Sequence, residues 1–545
     1  MKSAGVLMNC LLAFAWMMSA PAVAEANVDN SSHRDDHRNS QPNIVLILCD
    51  DLGYGDVRCF HAESKIRTPE LDHIAATGMR FTDAHSGSAV CTPTRYGLLT
   101  GRYAWRTRLQ NGVLGGLSPA LIAPNRLTLA SMLKSAGYKT ACVGKWHLGM
   151  NWVVHPGKQV SENTIESREQ VWNVDYSQPA THGPVSAGFD EYFGISASLD
   201  MVPYAWIRND RLTENPTEDR DFVMFFERDA GRTRKGPAVP GFDAADVLPE
   251  LLKESVRIIE THATKTRDSG NDRAAPLFLY IPLASPHTPI LPATEWQGKS
   301  GLNAYADFTM QTDDAIGQIR KSLEQNGLLQ NTLLIVTSDN GCSPQADFGE
   351  LRAHGHDPSA GFRGHKADIF EGGHRIPLIA SWPGVTKPGS LSSRTTCLTD
   401  VFATVAEIVG VKLPPDSGED SISFFSELKN PTIDRQQIST RPPVVHHSIN
   451  GSFAIREAQW KLIFCADSGG WSEPRPGQKR TEKDLPPWQL YNLENDPAES
   501  SNVIADHPDV VQKLSQTMTT LISNGRSTEG SPQPNDVEVR RPTGL

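Results

Sequence analysis

Residues 43–51 read NIVLILCDD, a continuous apolar run closed by two carboxylates. A run without alternation suits a strand buried on both faces, as in a mostly parallel sheet covered by helices. Similar runs recur at 276–284 (PLFLYIPLA) and 332–338 (TLLIVTS), each after a helix-like segment, 246–263 and 305–328 respectively. Strands alternating with helices specify an α/β fold, and ligands of such sheets gather beyond the carboxyl ends of the strands. Those ends carry Asp50-Asp51, Ser285-Pro286-His287 and Asp339-Asn340. Asp50, Asp51, Asp339 and Asn340 all offer oxygen ligands, a donor set that suits a hard divalent cation, calcium before magnesium, and not zinc.

The rest of the chain is organised around that sheet. Lys2, the apolar run Val6–Met18 and Ala22-Val23-Ala24 form an export signal with cleavage near Ala24, so residues 1–24 read as a signal peptide. Residues 25–40 are polar and aperiodic, a disordered leader before a catalytic domain spanning 41–434. Within it, 151–243 reads as long loops with short elements, where substrate specificity is often built. After a helix-like stretch at 400–410 the PPDSGED break leads to a smaller domain, 435–545, with strands, a Pro- and charge-rich loop at 473–487 and a helix at 508–523.

Composition narrows the class of function. The formal net charge of -11 opposes non-specific nucleic-acid binding, which needs basic patches to displace phosphate counterions. No segment of the mature chain approaches the roughly 20 apolar residues of a membrane span, so a soluble periplasmic or extracellular protein is expected. Eight cysteines become seven once Cys10 leaves with the signal peptide, and an odd count in an exported protein calls for a free thiol or a modified residue. Cys91 is the candidate; spacing leaves the pairing of the other six open.

CTPTRYGLLTGR at 91–102 sets Cys91, Pro93 and Arg95 at fixed offsets, and it resembles the sulfatase signature Cys-x-Pro-x-Arg. DDLGYGD (50–56), GKWHLG (144–149), SPHTP (285–289), SDNG (338–341), GFRGHKADIFEGGHRIPLIASWPG (361–384) and LYNLENDPAESSNV (490–503) resemble further motifs of that family, in its order, with the arylsulfatase branch nearest. The resemblance implies an alkaline-phosphatase-like fold: a large, mostly parallel central sheet flanked by helices, with a smaller C-terminal α+β domain carrying an antiparallel sheet. It also implies a sulfuric ester hydrolase acting on a sulfated carbohydrate or aryl sulfate. One Ca2+ per chain would be held by Asp50, Asp51, Asp339, Asn340 and the modified Cys91.

In the resembled mechanism a formylglycine-generating enzyme oxidises Cys91 to an aldehyde, whose hydrate attacks sulfur. The second hydroxyl of that hydrate then expels sulfate and restores the aldehyde, which a serine could not do. Arg95 would hold the hydrate oxygen and the metal-site carboxylates. Lys145 and Lys366 would clamp sulfate oxygens as point charges. His147 would take the hydrate proton during elimination, and His287 would donate toward the leaving oxygen.

One departure is Gly364-His365-Lys366, where many relatives carry a small pair before the lysine; His365 is expected to crowd the pocket. His374 and Arg375 read as residues that support the site from behind or as structural ones, while His155, His182, His446 and His447 read as surface or satisfied core residues, with a substrate contact by one of them left open. Trp152, Tyr204, Trp206, Trp471 and Trp488 are candidates for stacking on sugars or for plain packing. Two other readings compete: a phosphate or phosphonate ester hydrolase of the same superfamily, and a glycan-binding relative without catalysis.

Overall fold

The computed structural model describes residues 41–268, 275–431, 441–478, 485–542 and 544–545. The signal peptide, the polar leader and the expected boundary at 434/435 fall outside them.

The apolar run becomes the strand Asn43–Cys49, every residue of it buried. It lies at the middle of a ten-stranded mixed sheet. Thr332–Ser338 and Leu277–Pro282 flank it in parallel, followed by Lys139–Lys145 and Glu191–Ile195, also parallel. Antiparallel pairs start outside this block of five, at Leu378–Ser381 on one side and Ile207–Arg208 on the other. Successive residues of the middle strand enter opposite cores, which is why the run does not alternate. Val45 and Ile47 pack under the helices Val247–Asp268 and Ala304–Gln325. Ile44, Leu46 and Leu48 join a core with Tyr96, Leu98 and Val401 from the helices Cys91–Thr100 and Asp400–Ile408.

Two strands of the parallel block escape the apolar-run criterion. Lys139–Lys145 is KTACVGK, made of small and polar residues, and Glu191–Ile195 is a five-residue segment inside the stretch read as loops. The remainder of 151–243 is short strand pairs and turns, as expected.

Near the C-terminus Val444–His447, Phe453–Glu457, Trp460–Ile463 and Gln489–Asn492 form an antiparallel sheet. One face packs on the helix Pro508–Asn524 and on Tyr103 and Trp105. The other packs on Ile369 and Phe370, three residues beyond Lys366. The small sheet thereby clamps a segment of the candidate site.

Candidate active site

Register brings the two acidic strand ends together. Cys49 pairs with Ser338, so Asp50-Asp51 and Asp339-Asn340 leave adjacent strands at the same level. Asp51 turns there with φ 64°, its N–H donating to Asp339 Oδ1 at 3.3 Å. The neighbouring strands end in Lys145-Trp146-His147, in the loop to His287, and in Ser196–Ser198. All five parallel strands thus deliver polar residues to one edge.

Cys91 is the first residue of the helix Cys91–Thr100. Pro93 falls in the first turn, where its missing N–H costs nothing, and Gly101 closes the helix at φ 64°. The N-terminal dipole favours negative charge at position 91. Burial first, and then Asp50 and Asp339, push the thiol up to about 11 against the pull of Lys145 and Lys366.

Three carboxylates face three cations here, all buried. Arg95 Nε and Nη2 donate to Asp339 Oδ2 at 3.1 and 2.8 Å, its Nη2 lies 3.2 Å from Asp50 Oδ2, and Nη1 donates to the Lys145 carbonyl at 2.9 Å. Lys145 Nζ donates to Asp50 Oδ2, and Lys366 Nζ donates to Asp51 Oδ2 at 2.8 Å. Burial alone would raise Asp50, but Lys145, His287 and Arg95 outweigh it and hold its carboxyl below the usual carboxylate range. Asn340 Nδ2 donates to Asp51 Oδ1 at 2.7 Å, which turns Asn340 Oδ1 the other way.

The fit to a hard cation rests on what remains unpaired. Asp50 Oδ1 and Asn340 Oδ1 are buried without a hydrogen-bond partner among the described residues. Ligand atoms of Asp50, Cys91 and Asp339 lie within 4.8 Å of one another, as do those of Asp50, Asp51 and His287. Free, buried, convergent oxygens are the donors that calcium or magnesium takes.

The two histidines differ. His147 sits at φ 54°, and its Nε2 lies 2.8 Å from the Leu114 carbonyl. A carbonyl only accepts, so Nε2 carries the proton and Nδ1, buried and unpartnered, is left with a lone pair. Burial, Lys145 and Arg95 hold this ring far below its ordinary pKa, hence neutral. His287 stands 3.7 Å from Asp51 Oδ2 and 3.3 Å from Ser198 Oγ. Side chains of Asp50, Arg95 and Lys145 are 0% exposed, whereas His287 and Lys366 are 8% and 6% exposed, so the pocket opens on their side.

A family comparison decides what this constellation is: the sulfatase family model matches residues 42–411. The chain belongs to the sulfatase family. It is 33% identical over 519 residues to an N-acetylgalactosamine-6-O-sulfatase of Bacteroides thetaiotaomicron, covering 90% of this chain and 94% of that one. Human arylsulfatase A is 30% identical over 495 residues, 87% of this chain and 86% of that protein. A solved sulfatase structure from work on glycosaminoglycan metabolism by B. thetaiotaomicron superposes with a TM-score of 0.72 at 30% identity, covering 88% of this chain and 99% of that one. This sulfatase is accordingly a sulfuric ester hydrolase with the expected fold.

The sulfatase brings together Cys91, Arg95, Lys145, His147, His287, Lys366 and the four oxygen donors. Ser198 was not foreseen: its Oγ accepts from Lys145 Nζ at 3.0 Å and touches His287, joining two site residues. A serine in a weakly patterned stretch carries no sequence signal; only its place after a central strand reveals it. His365 leans on Phe348 and lies 3.3 Å from Asp368 Oδ2. Trp152 and Tyr204 are core residues, 9% and 1% exposed, which rules them out as stacking platforms. His446 is buried but has both ring nitrogens unpartnered, so it is not the satisfied core residue expected.

Proposed function

We propose that this sulfatase is an exported, calcium-dependent enzyme that removes sulfate from a sulfated carbohydrate, with 6-O-sulfated N-acetylgalactosamine first among the candidates. The observation that carries the reading is the meeting of Asp50, Asp51, Asp339 and Asn340 with Cys91 and three buried cations at one sheet edge. The sugar is argued from the Bacteroides relative, and from the N-acetylgalactosamine-6-sulfatase of Rattus norvegicus at 29% identity.

Charge balance supports the assignment. Three carboxylates stand against three cations, with burial and Asp50 raising Asp339 to about 7, so a bound divalent cation calls for added negative charges beside it. A sulfate ester and an ionised nucleophile at position 91 provide them. Asp50, Asp51, Asp339 and Asn340 would hold Ca2+, which supplies Lewis acidity when bound. Formylglycine at position 91, made from Cys91 by the maturation enzyme, supplies the nucleophilic oxygen at the helix N-terminus. Arg95 fixes Asp339 and Asp50, and Lys145 and Lys366 bind sulfate oxygens as charge develops. His147 Nδ1, the free lone pair, accepts a proton from position 91. His287, at the open side, donates to the leaving alcohol oxygen. A two-zinc phosphatase arrangement is not favoured, since each convergent ligand group among the described residues holds at most one histidine.

The test is the mass of the tryptic peptide 81–95 from protein made in its native host, followed by turnover on a panel of sulfated sugars before and after chelation. Exchange of sulfur for oxygen with loss of two hydrogens, and activity that chelation removes and calcium restores, are expected. An unmodified thiol in active protein, or undiminished turnover after exhaustive chelation, sinks the reading.

A further inference from the structure

A second cavity, of about 480 Å³, lies on the C-terminal sheet. That is within the ~300–1,000 Å³ of small-ligand sites. Its lining includes Phe453 and Phe464, both nearly buried, the turn residues Asn450 and Gly451, and the exposed Arg540 and Arg541. Neither arginine side chain has an ion-pair or hydrogen-bond partner among the described residues. In a chain where 63 acidic residues outnumber 52 basic ones, two adjacent unpaired guanidinium groups at a cavity need an explanation.

The arginines are held in place by their backbone. Gln110 uses both ends of its amide on this tail, accepting from the Arg540 N–H at 2.7 Å and donating to the Glu538 carbonyl at 2.8 Å. The same region touches the catalytic wall. The Ile449 N–H donates to the Ala367 carbonyl at 3.0 Å, beside Lys366, and the Ile449 carbonyl accepts from Gly112 at 2.7 Å. Two residues on, the Leu114 carbonyl holds His147. The turn that lines this cavity with Asn450 and Gly451 is thus tied by backbone to the residue that follows Lys366.

We infer that the cavity is a second subsite for an acidic oligosaccharide, binding the carboxylate or sulfate of a sugar beyond the one that is desulfated. A guanidinium fork pairs two N–H donors with two oxygens of such an anion. The inference rests on the reading that the substrate is a sulfated carbohydrate.

Kinetics of Arg540→Ala/Arg541→Ala on N-acetylgalactosamine 6-sulfate and on a chondroitin 6-sulfate hexasaccharide test it. The monosaccharide should be turned over as before, while KM for the hexasaccharide rises tenfold or more with kcat unchanged; the double lysine variant should fall between. A binding arm keeps the two readings apart: calorimetry of the hexasaccharide with Cys91→Ala protein, with and without the arginine changes. A tenfold weaker Kd without the arginines supports the subsite even if no sugar sulfate is hydrolysed, which would sink only the substrate reading. Equal Kd values, or no hexasaccharide binding by Cys91→Ala protein, overturn the subsite.

Discussion

Two buried clusters in this sulfatase use the same ingredients to opposite ends. At the sheet edge, Asp50, Asp51 and Asp339 face Arg95, Lys145 and Lys366. Under the C-terminal sheet, Asp83, Glu371 and Glu499 face Arg375, Arg456 and Lys461. In the first, the atoms orphaned among the described residues are Asp50 Oδ1, Asn340 Oδ1 and His147 Nδ1. In the second they include ring nitrogens of His85, His374 and His446, which stack with centroids 5.1 and 4.5 Å apart. Free oxygens beside a side open at His287 and Lys366 make a ligand site. The second cluster ties Arg456 and Lys461 of the small sheet to Asp83, Glu371 and Glu499 outside it, which is the work of a structural joint. Formal charge totals do not distinguish the two; free oxygens converging with Cys91 on one point do.

The comparison breaks most sharply at position 91. Cys91→Ala should cut turnover by ~10³-fold or more while leaving the urea midpoint within the range of ordinary core substitutions. Comparable turnover in the variant would remove the distinction between the clusters. The opposite pattern is expected for Lys461→Met, which takes from Glu499 its ion-pair partner and leaves Glu371 to Arg375. Breaking a buried pair costs ~3–5 kcal/mol, read from urea denaturation, with specific activity of the folded fraction retained. A loss of kcat with unchanged stability would make the joint part of the catalytic machinery.

Acid sharpens the contrast further. Burial first lowers His85 to about 4, and burial lowers His374 and His446 well below their ordinary value. The unfolded chain binds these protons near pH 6.5 and the folded chain does not. Their stabilising effect is therefore complete above pH 6.5 and shrinks as pH falls toward 4, by up to ~1.4 kcal/mol per pH unit for each histidine. Denaturation curves across that window should show it, and His446→Gln should flatten the slope by one proton; an unchanged slope would contradict burial of a neutral ring. The smallest effect is expected from Ser198→Ala, which removes one hydrogen bond to Lys145. A net ~0.5–1.5 kcal/mol corresponds to roughly two- to tenfold in kcat/KM, without change in stability.

Legibility in the sequence followed the strength of local signals. Asp50, Asp51, Asp339 and Asn340 were readable because each pair ends a long apolar strand, Cys91 because the cysteine count is odd, and Pro93 and Arg95 through the resemblance to the sulfatase signature. Lys139–Lys145 was not readable as a strand, since KTACVGK lacks the bulky aliphatics that mark one. Glu191–Ile195 was hidden by its shortness, and Ser198 with it. The histidine stack had no local signature at all, because His85, His374 and His446 are more than 70 positions apart in the chain.

The sequence by itself determined the parallel core and the oxygen donors at its edge, since each follows from a short run of residues and its periodicity. Tertiary structure alone decided which oxygens stay free, which histidine nitrogen keeps a lone pair, where the pocket opens, and that the small sheet braces the segment bearing Lys366. Those depend on partners hundreds of residues apart, and a pairing between distant side chains is a property of packing that no local pattern records.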